Sequence, residues 1–404
     1  MKKTMSLVVA MLAILMNACT SRQVDTDTYL RQMRERLDQI QTASYTSEKL
    51  SFSPGDPNPK AHWFIKYKEY KNPADTTVGT NFVRYSEDDS TLVEGAYDGE
   101  AKYTVFHEHK GVIRDDFTAR NLPFRLVWPP FFRYAYHVID YALTTHDNIE
   151  YTLVDSLEFY KFHMITHEHE QIEFTGGKAT HVDGGGYIID PTSEYEIWFS
   201  KQTNLPYRIR RTQEHDIGDD TCHNPVLNAE NPSDFDINDY LPQDYLMRPY
   251  KGKQRSVNDA NSLLNKPAPM WTLTDLEGNA VSLKDLHAKV ILLEFSATAC
   301  APCQAVVPFL KQLREEYNED DLLIITFESW GAKDSTMKFY AEKKGLTYPF
   351  IRATEEMLDT YKTGGSAPWF FLLDRSHFVR KSFFGFDEGT TDQEIRNAIR
   401  EMMK

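Results

Sequence analysis

The chain is poor in cysteine, in long apolar runs and in basic charge. Its 404 residues include only four cysteines, Cys19, Cys222, Cys300 and Cys303, which excludes a small scaffold stapled by several disulfides. The apolar run from Leu7 to Met16 is too short to cross a bilayer, for which about 20 residues are needed, so it reads as a cleaved export signal. A net charge of −15 leaves no basic stripe to neutralise phosphates and excludes nucleic acid as a partner. No second CxxC and no histidine pair at finger spacing follows the first CxxC. A zinc site there would have to borrow Cys222 and His223, so neither a metal nor a cofactor is expected. Hydrophobic content of 41% and charged content of 26% describe an ordinary folded protein. The length exceeds what one core usually holds, and two domains are expected.

The first residues, MKKTMSLVVAMLAILMNAC, place Ala18 directly before Cys19 at the end of the apolar run. This resembles the lipobox of bacterial lipoproteins, with Met16 and Asn17 as loose matches. The resemblance implies that residues 1–19 hold the signal and that Cys19 becomes the lipidated first residue of a protein anchored in the cell envelope and facing the periplasm. The alternative is an ordinary secreted protein in which Cys19 is incidental.

Two textures follow. Leu30, Met33, Leu37 and Ile40 recur at helical spacing behind Asp25 and Asp27, which predicts a leading amphipathic helix. From Tyr45 to about Arg211, short aromatic and β-branched runs such as HWFIKYKEY and YEIWFSKQTNLPYRIRR predict an antiparallel sheet or half barrel, interrupted by a proline-initiated helix in WPPFFRYAYHVIDYAL. His107 and His109, and His163, His167 and His169, alternate along strands; they would form a metal site if those strands were neighbours, and otherwise mark a solvated face. Residues 216–262 are acidic and rich in Asn and Pro, the texture of a linker, and Cys222 within it is expected to have a surface role or none, not a catalytic one. From residue 263 the pattern alternates β and α: a hairpin in WTLTDLEGNAVSL, buried strands VILLEFS and LLIITFE, helices over 301–317 and 335–344, and a last helix from Thr391.

The helix-and-meander pattern of residues 20–215, with its YEIWFSKQTNLPYRI hairpin, resembles the LolA-like lipoprotein-carrier fold, although Ser200 stands where an acidic residue is common. That resemblance implies a curved sheet whose apolar concave face could hold a lipid or an extended chain. A plain β scaffold that spaces the second domain from the membrane is the alternative.

The stretch FSATACAPC runs a buried strand into Cys300-Ala301-Pro302-Cys303 and then a helix. The first cysteine at a helix N-terminus gains from unpaired N–H groups and the helix dipole, which favour its thiolate. Cys300 is thus the expected nucleophile, and Cys303, one turn inside, the resolving thiol. Pro302 is tolerated in the first turn. Glu294 lies within the apolar strand, where burial would raise its pKa toward a value suited to taking the proton of Cys303. A solvent-facing glutamate on an edge strand is the alternative.

Residues 263–404 resemble the TlpA-like and ResA-like thioredoxin domains, the extracytoplasmic thiol-disulfide oxidoreductases. The resemblance rests on NKPAPMWTLTDLEGNAVSLKDL, Glu294, the CxxC pair, Pro308 and Ala367-Pro368. It implies a thioredoxin-like α/β fold, a redox disulfide Cys300–Cys303 and a cis-proline at Pro368 beside it that offers backbone groups to the substrate. Ser296 and Ala299 stand where thioredoxins carry tryptophans, which implies a smaller, less aromatic rim around Cys300. A peroxiredoxin would need Pro-x-x-x-Thr-x-x-Cys. Leu293 and Ala297 occupy those places before Cys300, and Ser296 and Cys300 before Cys303.

The expected function is a membrane-anchored disulfide reductase acting on exported proteins, with protein thiols or disulfides as substrates and a membrane electron donor or acceptor. The alternative is a lipid or lipoprotein carrier with a redox-silent thioredoxin-fold adaptor.

Overall fold

The computed structural model describes residues 24–404 apart from 120–124, 183–189, 215 and 252–260. The apolar leader, Cys19 and the last part of the acidic stretch therefore lie outside the described residues.

Helix α1 (Thr26–Asp38) starts where the Asp25 carboxylate accepts from the Thr28 N–H at 2.9 Å, a side-chain N-cap. Its Tyr29, Leu30, Met33 and Leu37 face one way and are buried. The strands β1 (Thr42–Phe52), β2 (Ala61–Lys71), β3 (Thr80–Tyr85), β4 (Val93–Tyr97), β5 (Lys102–Phe106) and β6 (Gly111–Asp115) form a meander. Helix α2 (Phe131–Thr144) follows Pro130, as the prolines predicted. The strands β7 (Ile149–Asp155), β8 (Phe159–Thr166), β11 (Ser193–Ser200), β12 (Pro206–Thr212), β13 (Ile217–Leu227) and β14 (Leu246–Pro249) complete a sheet of twelve, ordered β14-β6-β5-β4-β3-β2-β1-β13-β12-β11-β8-β7. A separate short pair is formed by β9 (Gln171–Glu173) and β10 (Thr180–Val182). All pairs of the large sheet are antiparallel except β14 on β6. Along β11, Tyr195, Ile197 and Phe199 point inward and pack with residues of both helices in one core.

The acidic stretch is a linker only in part. β13 lies mid-sheet between β1 and β12, and β14 extends the β6 edge, so the first sheet reaches Pro249. Cross-strand neutralisation explains why this polar sequence is nevertheless a strand. Asp219 accepts from Arg208 Nε at 2.8 Å and from Arg210 at 3.1 Å, and Asp220 pairs with Lys49. Cys222 is correspondingly not at the surface: it is 7% exposed, within this strand. The two histidine sets are also separated. His107 lies beside β5, bonded to Val93 O and the Tyr245 hydroxyl, and His163 lies on β8 beside Glu194, with seven strands between β5 and β8. The arrangement that would have made them a joint metal site is absent.

The C-terminal part has a thioredoxin-like fold. After the hairpin of β15 (Thr272–Thr274) and β16 (Ala280–Ser282), a sheet forms in the order β19-β18-β17-β20-β21 from β17 (Val290–Ser296), β18 (Leu322–Glu328), β19 (Phe350–Arg352), β20 (Trp369–Asp374) and β21 (Val379–Phe384). The first three strands named run parallel and the last two antiparallel. Every residue of β17 is buried, as expected for a central strand covered on both faces. Val290 and Leu292 pack with helices α3 (Ala301–Glu316) and α6 (Thr391–Met402), whereas Ile291, Leu293 and Phe295 pack with the hairpin and helix α5 (Glu355–Thr360). β19 and α5 are too short to carry a periodic signal and escape sequence reading. Helix α4 (Asp334–Lys344) touches the first sheet's loops: Lys344 pairs with Glu214, and Thr336 donates to Asp56 at 3.1 Å.

Replacing fully buried Leu30 by alanine should lower stability by about 2–5 kcal/mol, whereas Gln32→Ala on the exposed side of α1 should change it by less than about 0.5 kcal/mol. Urea titration of both variants checks whether α1 is an integral part of the core; equal midpoints would contradict it.

Candidate active site

The loop between β17 and α3 is short, and the chain enters α3 at Cys300. Cys300 is the N-cap: its sulfur accepts from the Cys303 N–H at 3.2 Å, and its carbonyl accepts from the Gln304 N–H at 3.2 Å. The sulfur thus faces the positive end of a sixteen-residue helix. The two cysteines form a disulfide with Cα atoms 5.2 Å apart. Both are buried, and Ala297 and Ala367 pack against them. Pro302 occupies the first turn, and Pro308 lies inside the helix.

Ala367 belongs to the loop before β20, and the Ala367–Pro368 peptide is cis. The Pro368 carbonyl accepts from the Gly385 N–H at 2.9 Å, which ties this loop to the end of β21. The site therefore draws on the end of β17 and the start of β20, and the end of β18 joins them where the Ser329 N–H donates to Ser296 O at 2.9 Å.

Glu294 is buried in β17 and not on an edge, because β18 and β20 flank it, paired through Thr326 and Phe370. By strand alternation it shares the face of Val290 and Leu292, the face covered by α3. Burial pushes its carboxyl up to about 7, opposed only in part by the Thr326 hydroxyl, which donates to Oε2 at 2.9 Å, and by the Ser296 hydroxyl. Oε1 has no hydrogen-bond partner among the described residues, nor do the nearby buried hydroxyls of Tyr340 and Tyr348. Those two phenols feel the Glu294 charge, and burial, more than that charge, raises them. A buried carboxyl that titrates near neutrality and keeps one oxygen unpaired can accept or return a proton.

Two residues of this region were not singled out in the sequence. Glu328 ends β18 opposite Ser296, is buried, and accepts through Oε2 from the Trp330 and Ala332 N–H groups at 3.2 and 2.8 Å. An acid closing the apolar run LLIITFE carries the same signal that marked Glu294 and could have been found by it. Trp330 follows in the loop, exposed, with its indole N–H donating to Gly365 O at 2.7 Å. It has no periodic signature. Cys222 and His163 lie on strands of the other sheet, while His107 and His109 stand in the turn after β5 and His167 and His169 in the loop after β8, all outside this site.

Residues 264–382 match the AhpC/TSA family. The thiol-disulfide oxidoreductase ResA of Bacillus thuringiensis is 33% identical over 131 residues, which cover 32% of this chain and 73% of that protein. ResA of Geobacillus kaustophilus is 34% identical over 119 residues, 29% of this chain and 67% of that protein. A solved thiol-disulfide oxidoreductase from Bacteroides fragilis is 19% identical with a TM-score of 0.29, covering 34% of this chain and 99% of that one.

The raised acid has a stability consequence. A carboxyl lifted from 4.5 to about 7 holds its proton more tightly folded than unfolded. Its contribution is complete below about pH 4.5 and is lost as pH rises through about 7, to a total of about 3 kcal/mol. Glu294→Gln has nothing to ionise there. The stability of the variant relative to the parent should therefore climb by up to about 3 kcal/mol between pH 4.5 and 8. Chemical denaturation across that range measures it, and a pH-independent difference would show that Glu294 is not the buried acid described.

Proposed function

The chain belongs to the ResA family of thiol-disulfide oxidoreductases, and on that premise we propose that it reduces disulfides of exported proteins with Cys300 as nucleophile and Cys303 as resolving thiol. The Cys300 thiolate attacks one sulfur of a substrate disulfide, forming a mixed disulfide and expelling the other sulfur as a thiolate. Cys303, after giving up its proton, attacks Sγ of Cys300, which releases the second substrate sulfur and leaves the Cys300–Cys303 disulfide. Two electrons have passed to the substrate, and a dithiol donor linked to the membrane must return two to the pair. Glu294, on the face covered by α3, takes the Cys303 proton, and the Pro368 loop holds the substrate backbone against the sulfurs.

The observation that carries this reading is the placement of the cysteine pair at the N-terminus of α3, with a raised carboxyl on the covered sheet face behind it. In this proposal the chain lies outside the cytoplasm, tethered through lipid on Cys19, and the first sheet through Pro249 is a separate domain that spaces the redox domain from the membrane. A carrier role is less well supported, because α1 and α2 cover the sheet's apolar face. The cavity between Trp63, Tyr67, Trp128 and Ile209, of about 290 Å3, is at the lower end of the usual range for ligand pockets, and a larger one of about 580 Å3, around Asn72, Asp98 and Asp234, is lined mostly by polar residues unsuited to a lipid.

The Cys303→Ser variant should trap substrate proteins as mixed disulfides that dithiothreitol releases, and Cys300→Ser should trap none. Wild-type protein should reduce insulin, and both single variants should lose that activity by at least about a hundredfold. Absence of insulin reduction by wild type together with absence of trapping would sink the proposal. A Cys19→Ser variant should move from the membrane to the soluble fraction; unchanged membrane association would remove the lipid anchor from it.

A further inference from the structure

We infer that Trp330 is the aromatic residue that grips the polypeptide substrate beside Cys300, in the role left open by Ser296 and Ala299. The inference rests on the reading of the site as a disulfide reductase of polypeptides, and names the residue that sets its preference for them.

Trp330 is 51% exposed, yet both its backbone N–H and its indole N–H are hydrogen-bonded within the protein. The preceding Ser329 N–H donates to Ser296 O at 2.9 Å, which fixes the loop to the end of the strand that leads to Cys300. The Trp330 N–H itself donates to buried Glu328 Oε2 at 3.2 Å, and two residues on the Ala332 N–H donates to the same oxygen at 2.8 Å. Gly331, at φ 73°, supplies the left-handed residue that turns the chain between them toward α4. Finally the indole Nε1–H donates to Gly365 O at 2.7 Å, three residues before cis Pro368.

These bonds tie the ring at one end to the β17 terminus, whose loop carries Cys300, and at the other to the loop whose Ala367 packs on both cysteines. The only polar atom of the side chain is satisfied within the protein, so what the indole offers outward is apolar. An exposed aromatic with its rotamer already fixed loses little entropy when a partner covers it. The loops after β17 and β18 lie at the carboxyl ends of parallel strands, where α/β sheets bind their ligands. The occupant is an extended peptide segment whose disulfide meets Cys300 and whose neighbouring apolar side chain lies on the indole. A small disulfide that reaches only the sulfurs does not touch the ring.

The test compares insulin with hydroxyethyl disulfide as substrates of the full mature chain. Trp330→Ala should lower kcat/KM for insulin about tenfold, mostly through KM, and leave the rate with hydroxyethyl disulfide within twofold of wild type. Trp330→Phe should recover part of the loss, since it keeps an aromatic face while giving up the pyrrole ring and the bond to Gly365. In the Cys303→Ser background, forming a mixed disulfide with a cysteine-containing peptide should shift tryptophan fluorescence, and Trp330→Phe should abolish that shift. Unchanged insulin kinetics in Trp330→Ala, with both substrates still reduced, overturns the inference and leaves the reductase reading standing. Equal losses on both substrates overturn it as well, since they would mark Trp330 as part of the site's framework. A wild-type protein inactive on both disulfides removes the reductase reading and this inference together.

Discussion

Desolvation of a carboxyl in the central strand of a five-stranded sheet is the constraint to which the rest of the C-terminal half answers. An ionised glutamate on the covered face it shares with Val290 and Leu292 would be costly, and the response is a proton kept up to about pH 7. One hydroxyl, Thr326 on the neighbouring strand, binds one of its oxygens. A purely structural solution would place a second donor on the other oxygen, or an apolar residue in its place. The polar groups nearby are instead the Ser296 hydroxyl, which only partly offsets burial, and two tyrosine hydroxyls that have no partner among the described residues, so the carboxyl stays free to change its charge state. That freedom is useful only if a group on the same face exchanges protons, and α3, which begins with the cysteine pair, covers that face.

The helix that flanks this pocket is also where the two sheets meet. Tyr340 lies on α4, and the same helix ends in Lys344, whose ammonium is paired with Glu214 from the loop after β12. Side chains of that pair are only 11% and 8% exposed. Buried pairs of this kind contribute little net stability, but separating the partners is strongly unfavourable. At the opposite end of α4, Asp56 from the β1–β2 loop accepts from Thr336. Loops of the first sheet thereby hold both ends of the helix that carries one of the phenols facing Glu294. The position of α4, and with it the surroundings of the buried acid, depends on residues far away in sequence.

Sequence reading succeeded where one signal dominated. VILLEFS and LLIITFE are strands over the expected residues, because four aliphatic residues in a row, all or nearly all buried, have few other homes. Asp25 and Pro130 marked the helix starts, since capping is decided by a single residue. It failed where the deciding partner came from elsewhere. Asp219 and Asp220 look like linker residues until Arg208, Arg210 and Lys49 are seen across the strands, and the company of those acids gives Cys222 a surface role or none. The condition set on the histidine sets, neighbouring strands, is not met, because a repeat of 2 says nothing about strand order, and seven strands separate β5 from β8.

The rim of the site is the most instructive case, because local sequence gave a correct observation and an incomplete conclusion. Ser296 and Ala299 do leave the β17–α3 loop without an aromatic residue, and Ala299 is half-buried there. The surface beside Cys300 is nevertheless built from three loops that converge at one edge of the sheet, and a residue missing from one can be supplied by another. Trp330 enters from the β18 end, thirty residues on, anchored by a second buried carboxylate, Glu328, and by the loop of the cis-proline. An aromatic group on the β17–α3 loop would be carried by the same segment as the nucleophile. Placed on the β18 loop and bonded to Gly365, it is instead coupled to the segment that lines the other side of the sulfurs. The sequence spacing around a CxxC motif therefore determines which sulfur attacks, while the character of the surface that meets the substrate is set by contacts between loops that no local motif contains.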